Sequence, residues 1–197
     1  MGSRIIELLC PGCGAGVQLE QKECEYCYRP IIISTFQSVY DMSLPEVSKY
    51  TSTYKKALMQ NPENGVLNKS IAICYMKLKL FDKAQEAFEK AIQDNFDDVE
   101  SYFYAAICLL RGKRPYMASR QIIDKAIEYI NAALMIETRG VFYHFRSYLK
   151  YDYYEKKRLR IMPTFMEDYN KAKISGVSEM DKQQLFQMLG IRRQDGF

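Results

Sequence analysis

The chain has 197 residues, enough for a compact domain with a small appendage, and its 48% apolar and 26% charged composition is that of a folded globular protein. A net charge of +4 is too small to imply a nucleic-acid partner by itself, and no apolar run approaches the roughly 18 residues of a spanning helix, so no membrane partner is expected. The opening MGSRIIELLC lacks the apolar core of a secretory leader, and Ile6 stands where lipidation at Gly2 would need Ser or Thr, so a cytoplasmic location is the expectation.

Residues 10–27 read CPGCGAGVQLEQKECEYC, two Cys-x-x-Cys pairs with ten residues between Cys13 and Cys24. In a reducing compartment such pairs are metal ligands or redox centres more often than disulfides. A redox pair opens a helix after a strand, where the helix dipole lowers the first thiol's pKa. Here GAGVQLE offers glycines and then strand-like alternation. A metal site asks instead for two tight knuckles, with positive φ after each second cysteine, and Gly14 supplies this once while Pro11 stiffens the turn. CPGCGA, followed by a short hairpin and a second knuckle, resembles a zinc ribbon of the rubredoxin-knuckle type. The resemblance implies a tetrahedral structural Zn2+ held by Cys10, Cys13, Cys24 and Cys27. Tyr28 departs from that pattern, since glycine is usual there, and a distorted second knuckle is expected. VQLE should be one hairpin arm and RPIIIST a following strand. Residues 1–34 carry three cations against four carboxylates, which favours a clasp that folds this end over a nucleic-acid contact. Iron in the same ligand set and a dithiol redox pair, which would make the chain a redox sensor, are the alternatives.

After a linker at 35–44, Pro45 opens a helix whose apolar positions Val47, Tyr50, Tyr54, Ala57 and Leu58 keep one face. Ala72-Ile73-Cys74 recurs as Ala106-Ile107-Cys108, a shift of 34 residues. Ile71, Ala72 and Tyr75 fall where the first helix of a repeat packs, and Ala84, Phe88 and Ala91 give the A-x3-F-x2-A of its second helix, with Phe96 in place of the usual proline. Over 65–98 the chain resembles a tetratricopeptide repeat. Tyr50, Tyr54, Ala57 and Pro62 repeat the second-helix pattern one period earlier. Downstream, VESYFYAAICLLRG is a first helix and Met117 to Glu137 a long second one whose pattern resumes at Ala126, Ile130 and Ala133, eight residues late, as if two turns had been added. A further first helix starts near Arg139. Two more helices are expected, Pro163 to Ile174 stopped by Gly176, and Ser178 to Leu189 opened by a Ser178/Asp181 capping box. The fold class is therefore mainly α, a TPR-like α-α superhelix over 45–197 preceded by a small β zinc ribbon over 1–34.

No catalytic constellation is evident. His144 has no nucleophile or carboxylate motif beside it and reads as a packed histidine, Cys74 and Cys108 read as small core residues, and no phosphate-binding G-x-x-x-x-G-K-[ST] loop occurs. Enzymatic activity is not expected. Residues 139–161 hold seven Lys or Arg against two carboxylates, interleaved with seven aromatics. Arg146, Lys150, Lys156, Lys157, Arg158 and Arg160 thus form a candidate basic patch that could meet nucleic acid or an acidic surface, the alternative function. The resemblance to tetratricopeptide repeats implies instead a non-enzymatic adaptor with a groove for a protein or peptide, lined by Val66, Lys69, Ile73 and Met76, then Glu100, Phe103, Ile107 and Leu110. That lining is mostly apolar. Lys69 suits a carboxylate clamp but Ile73 stands where such a clamp needs Asn, so the expected occupant is an amphipathic helix or hydrophobic peptide, unless Leu185, Met188 and Leu189 of the last helix fold back and fill the groove.

Overall fold

A computed structural model describes residues 7–194 and 196–197; residues 1–6, which include Gly2 and Ile6 of the lipidation motif and the start of the expected ribbon, lie outside it. The described chain divides into two compact units, one ending at Ser101 and the other beginning at Tyr102. The Cys-rich end, the 35–44 segment and the first helices all belong to the first unit.

The first unit begins with a two-stranded antiparallel sheet, β1 (Glu7–Leu9) and β2 (Gly16–Gln18), in which Leu8 pairs Val17. Strand alternation turns Leu8 and Val17 inward while Leu9 stays exposed, and β1 lies against a helix, α2 (Leu44–Gln60). The expected strand RPIIIST does not form. Its only pairing is a single Glu23–Pro30 bridge, after which Ile31 and Ile33 turn inward as fully buried plugs and the chain enters a short helix, α1 (Gln37–Tyr40), inside what reads as linker. Pro30 lacks the N–H a ladder needs, and the isoleucines are buried without joining a strand.

α2 starts as the sequence predicts, with the Ser43 hydroxyl accepting the Glu46 N–H and Pro45 in the first turn. Its inward stripe is Val47, Tyr50, Tyr54 and Ala57. The two tyrosines do more than pack. Tyr50 donates its hydroxyl to the Pro30 carbonyl at 2.9 Å and Tyr54 donates to the Ile31 carbonyl at 2.7 Å, so the irregular segment's buried acceptors are satisfied by the helix. α3 (Gly65–Lys77) and α4 (Phe81–Asp94) form a helical hairpin turned at Lys79, which adopts φ 58°. α3 packs on α4, and Ile71, Ala72 and Tyr75 of the first and Ala84, Phe88 and Ala91 of the second are all buried. α1 and α2 both lie against α3. The turn after α4 closes without the usual proline: Asn95 Oδ1 accepts the Asp97 N–H at 3.1 Å, and Phe96 is left exposed.

α5 (Val99–Leu109) carries the chain into the second unit, which holds α6 (Arg120–Ile136), α7 (Gly140–Leu149), α8 (Phe165–Ile174) and α9 (Glu179–Leu189). The eight-residue delay is mostly loop, not added helix. α6 has 17 residues against 14 for α4, and the remaining excess lies in the α5–α6 connection, including a 3-10 turn at Pro115–Met117. Pro115 and the Ser119 cap start the helix late. α7 continues into a π-helical turn, Lys150–Glu155. α8 has a Thr164/Glu167 capping box, α9 the expected Ser178/Asp181 one, and Gly176 takes φ 74° where the preceding helix stops. α9 packs on α7 through buried Leu185, Phe186 and Leu189, so within this unit the last helix does fold back on its neighbours.

Tyr54→Phe leaves the Ile31 carbonyl buried without its donor. It is expected to lower the stability of the first unit by about 1–3 kcal/mol, read as a shift in its urea midpoint, with little change in helix content.

Candidate functional site

The two knuckles bring four sulfurs together. Cys10, Cys13, Cys24 and Cys27 place their Sγ atoms within 4.8 Å of one another, with Cys10 to Cys27 at 3.5 Å and Cys13 to Cys24 at 3.6 Å. A tetrahedral ion holding sulfur at about 2.3 Å sets neighbouring sulfurs about 3.8 Å apart, so the donor set fits one such ion. All four are free thiols, and none is disulfide-bonded.

The knuckles are alike, against the expected distortion of the second. Gly14 has φ 80° and Tyr28 φ 57°, and each donates its N–H to the carbonyl of the first cysteine of its pair, Gly14 to Cys10 at 2.9 Å and Tyr28 to Cys24 at 2.8 Å. Tyr28 adopts the left-handed conformation despite its Cβ, and its side chain is exposed to solvent. Gly12, which sequence reasoning passed over, is needed for another reason. A Cβ there would come within 3.0 Å of Cys27 Sγ and 2.5 Å of Arg29 Cδ, and the Gly12 N–H points at Cys10 Sγ at 3.3 Å. Burial raises the Cys24 pKa, but N–H groups of Tyr26 and Cys27 overcome this and hold it at about 7. The Arg29 N–H favours the Cys27 thiolate, yet burial and the neighbouring sulfurs push that thiol up to about 12. Four thiols this close ionise together only around a cation. Arg29, on the second knuckle, pairs with Glu46 at the start of α2.

Of the positions expected to line a groove in the first unit, Val66 is 48% exposed at the start of α3 and Glu100 is partly exposed, whereas Ile73 and Met76 are buried. Lys69 is not a free cation: its ammonium meets Asp98 at 2.6 Å, and Asp98 also accepts the Ser101 hydroxyl. In the second unit Phe103, Ile107 and Leu110 are buried, Phe103 with its ring centroid 5.0 Å from that of Phe142 and 6.0 Å from that of Phe145. Five of the eight positions are thus core, because a first helix in such a stack is covered on more sides than its own repeat reveals.

Residues 52–111 match the family model described as tetratricopeptide repeat. Over this segment, about a third of the chain, the sequence follows the tetratricopeptide-repeat pattern. The chain is also similar in fold to the solved structures "MamA MSR-1 C2" (17% identity, TM-score 0.51, covering 76% of this chain and 74% of that one) and "MamA AMB-1 P212121" (16% identity, TM-score 0.50, covering 75% and 84%). At this identity the likeness is one of fold alone. No curated protein matches the chain.

The repeat fold reorders the basic segment. Arg146 makes a two-pronged contact with the fully buried Asp168, Nε to Oδ2 at 2.9 Å and Nη2 to Oδ1 at 2.5 Å, and Lys150, itself buried, reaches the same carboxylate at 2.6 Å. Lys156 lies 2.7 Å from buried Asp152, which also accepts from Arg114, the Tyr116 N–H and Gln194. Lys157 sits 3.9 Å above the Tyr153 ring. Only Arg158 and Arg160 of the expected patch are exposed without such a role among the described residues. The local charge count missed Asp168, which arrives from α8. No helix among the described residues is long and apolar enough to cross a membrane.

His144 is packed as expected. It is fully buried among Tyr169, Phe186 and Phe197, neither ring nitrogen has a hydrogen-bond partner among the described residues, and burial, with the positive charges of Lys182 and Arg193, pushes its pKa down from 6.5 to about 4. Burial works against Asp152 too, but its four donors hold that carboxyl at about 2, below the usual 3.8. Both shifts make folding sensitive to acid in separate windows. The unfolded chain takes up the His144 proton near 6.5 and the folded one near 4, so stability falls as pH drops through that interval. The Asp152 contribution is complete above about 4 and is lost as pH falls towards 2. In chemical denaturation across pH, His144→Leu is expected to flatten the upper window only. Asp152→Asn should flatten the lower one and cost about 2 kcal/mol at neutral pH through its charged hydrogen bonds.

Proposed function

We propose that the protein is a non-enzymatic adaptor that holds a protein or peptide partner on its tetratricopeptide repeats, with a structural Zn2+ in the four-cysteine site. The observation that carries this reading is the repeat itself, whose stacked helices present side chains along α3 while their cores are already filled. Val66 and Glu100, with the Lys69–Asp98 pair between them in sequence, are the positions on this face that a partner would meet. An amphipathic helix or hydrophobic peptide laid over Val66 would extend the apolar layer formed beneath it by Ile73 and Met76.

Zinc suits the four thiolates because a closed tetrahedral sulfur set leaves no open position, and a closed site folds its surroundings instead of acting on a substrate. Cys27 sits three residues before Pro30, where the segment that Tyr50 and Tyr54 anchor begins, so metal would fix the sheet and knuckles against α2.

Val66→Asp tests the partner face. An acidic residue in the first turn of a helix is tolerated, so the variant is expected to keep its unfolding temperature while capture of the native partner falls at least tenfold. Undiminished capture would place the partner elsewhere. For the metal, elemental analysis should find about one zinc per chain, and Cys10→Ser or Cys24→Ser should lower it. Because structural zinc in small sites contributes on the order of 10 kcal/mol, a strong chelator is expected to unfold residues 7–34 and leave the circular dichroism of the second unit's helices in place. A coloured protein carrying iron, or full metal content in both variants, would contradict the zinc assignment.

A further inference from the structure

α3 has a second face. At 100° per residue, Asn68, Ile71 and Tyr75 lie on the side of the helix opposite Val66, Lys69 and Ile73. In the repeat pattern W-x2-L-G-x2-Y, Ile71, Ala72 and Tyr75 occupy the last three marked positions, and Asn68 occupies the tryptophan's. Asn68 does not replace that bulk. Its amide turns back along the chain and donates to the carbonyls of Pro62 at 2.8 Å and Asn64 at 2.9 Å.

The volume left over is a hollow of about 480 Å³ among α2, α3 and α4, wholly within the first unit and of the size that takes a small ligand or a large side chain. Its floor is apolar, formed by the buried Ile71, Tyr75 and Ala87, and Met59 stands 83% exposed beside it. Its rim is cationic. Lys55, Lys83 and Lys90 surround it with a single carboxylate, Glu86, and none of the three lysines is drawn into an ion pair among the described residues. Lys55 is instead held over the Tyr75 ring, 5.9 Å from its centroid.

We propose that this hollow binds an acidic peptide, whose large apolar or aromatic side chain enters the space a tryptophan would fill while its carboxylates face Lys55, Lys83 and Lys90. Charge complementarity selects the flanking residues and the apolar floor selects the central one. The site lies across α3 from Val66, so its failure leaves the partner reading of that face untouched. Glu86 on the rim disfavours an unbroken polyanion, because a continuous row of phosphates would have to pass it, whereas a peptide can set a neutral residue opposite it.

The test uses the full metal-bound chain and a fluorescein-labelled heptapeptide with a central tryptophan between Glu and Asp residues, read by fluorescence anisotropy. Saturable binding is expected. Replacing the peptide's tryptophan with alanine should weaken it at least tenfold, and Lys83→Glu with Lys90→Glu should weaken the original peptide by a similar factor. Asn68→Trp, which closes the hollow, should abolish binding without loss of helix signal. If that variant does not fold, the alanine peptide and the two surface reversals decide the matter on their own. Equal binding of the alanine peptide would show attraction by charge alone and overturn the proposal. So would no saturable binding, binding indifferent to the lysine reversals, displacement of the peptide by a short oligothymidylate of equal affinity, or a lysine-dependent self-association in sedimentation that makes a second copy the occupant.

Discussion

The first unit depends on two phenol hydroxyls. A Cys-rich end with three-residue strands cannot bury enough apolar surface to hold itself in place. Tyr50 and Tyr54 bury their rings among the helices and direct their hydroxyls at the Pro30 and Ile31 carbonyls, which lie just past the second knuckle. The Arg29–Glu46 pair reinforces the same junction from the surface. Knuckles and helices therefore form one folding unit, and residues 35–44, which read as linker, are part of its packing through α1. A metal held at the sulfurs would act on this same junction, so its stabilisation extends to α2 through hydrogen bonds already in place.

The second unit answers a different problem. Its segment of highest positive charge begins inside the unit and ends on its surface, and two buried carboxylates draw in its cations, Asp168 taking Arg146 and Lys150 and Asp152 taking Lys156 together with Arg114. Buried charges of this kind are retained only when fully paired. Asp168 comes from α8 and fastens that helix to α7, while Asp152 ties the π-helical turn to the α5–α6 connection through Arg114 and the Tyr116 N–H. The inserted loop and the irregular helix are thus two sides of one arrangement. The same interior holds His144 neutral, and the acid sensitivity of the fold follows from these groups.

Departures from the repeat pattern matter as much as matches to it. Phe96 costs the turn a proline, and Asn95 closes it with a side chain. Asn68 gives up a tryptophan's volume, and no side chain among the described residues refills it. The first change is absorbed locally; the second leaves an apolar hollow under three lysines.

Local spacing by itself determined the 34-residue repeat period, the helix openings at Pro45 and Ser178, the stop at Gly176 and the pairing of four cysteines in two knuckles, because each is a pattern in the order of residues along the chain; the start of α6 was not, since the spacing puts it near Met117 and the structure at Arg120. The equivalence of the two knuckles could not be read from Tyr28, since positive φ costs a non-glycine residue about 1–2 kcal/mol through its own Cβ, and only the folded knuckle, with the Tyr28 N–H on the Cys24 carbonyl, shows that cost being met. Nor could the fate of the groove and the basic patch. Ile73, Phe103 and Ile107 show the same apolar periodicity whether they face a ligand or a neighbouring helix, and Arg146 and Lys150 count as surface charge until Asp168, 22 and 18 residues further on, is brought against them. Sequence sets what each element can offer at its surface. Only the tertiary structure decides which of those surfaces are already occupied, because burial and ion pairing are made between elements that are distant along the chain.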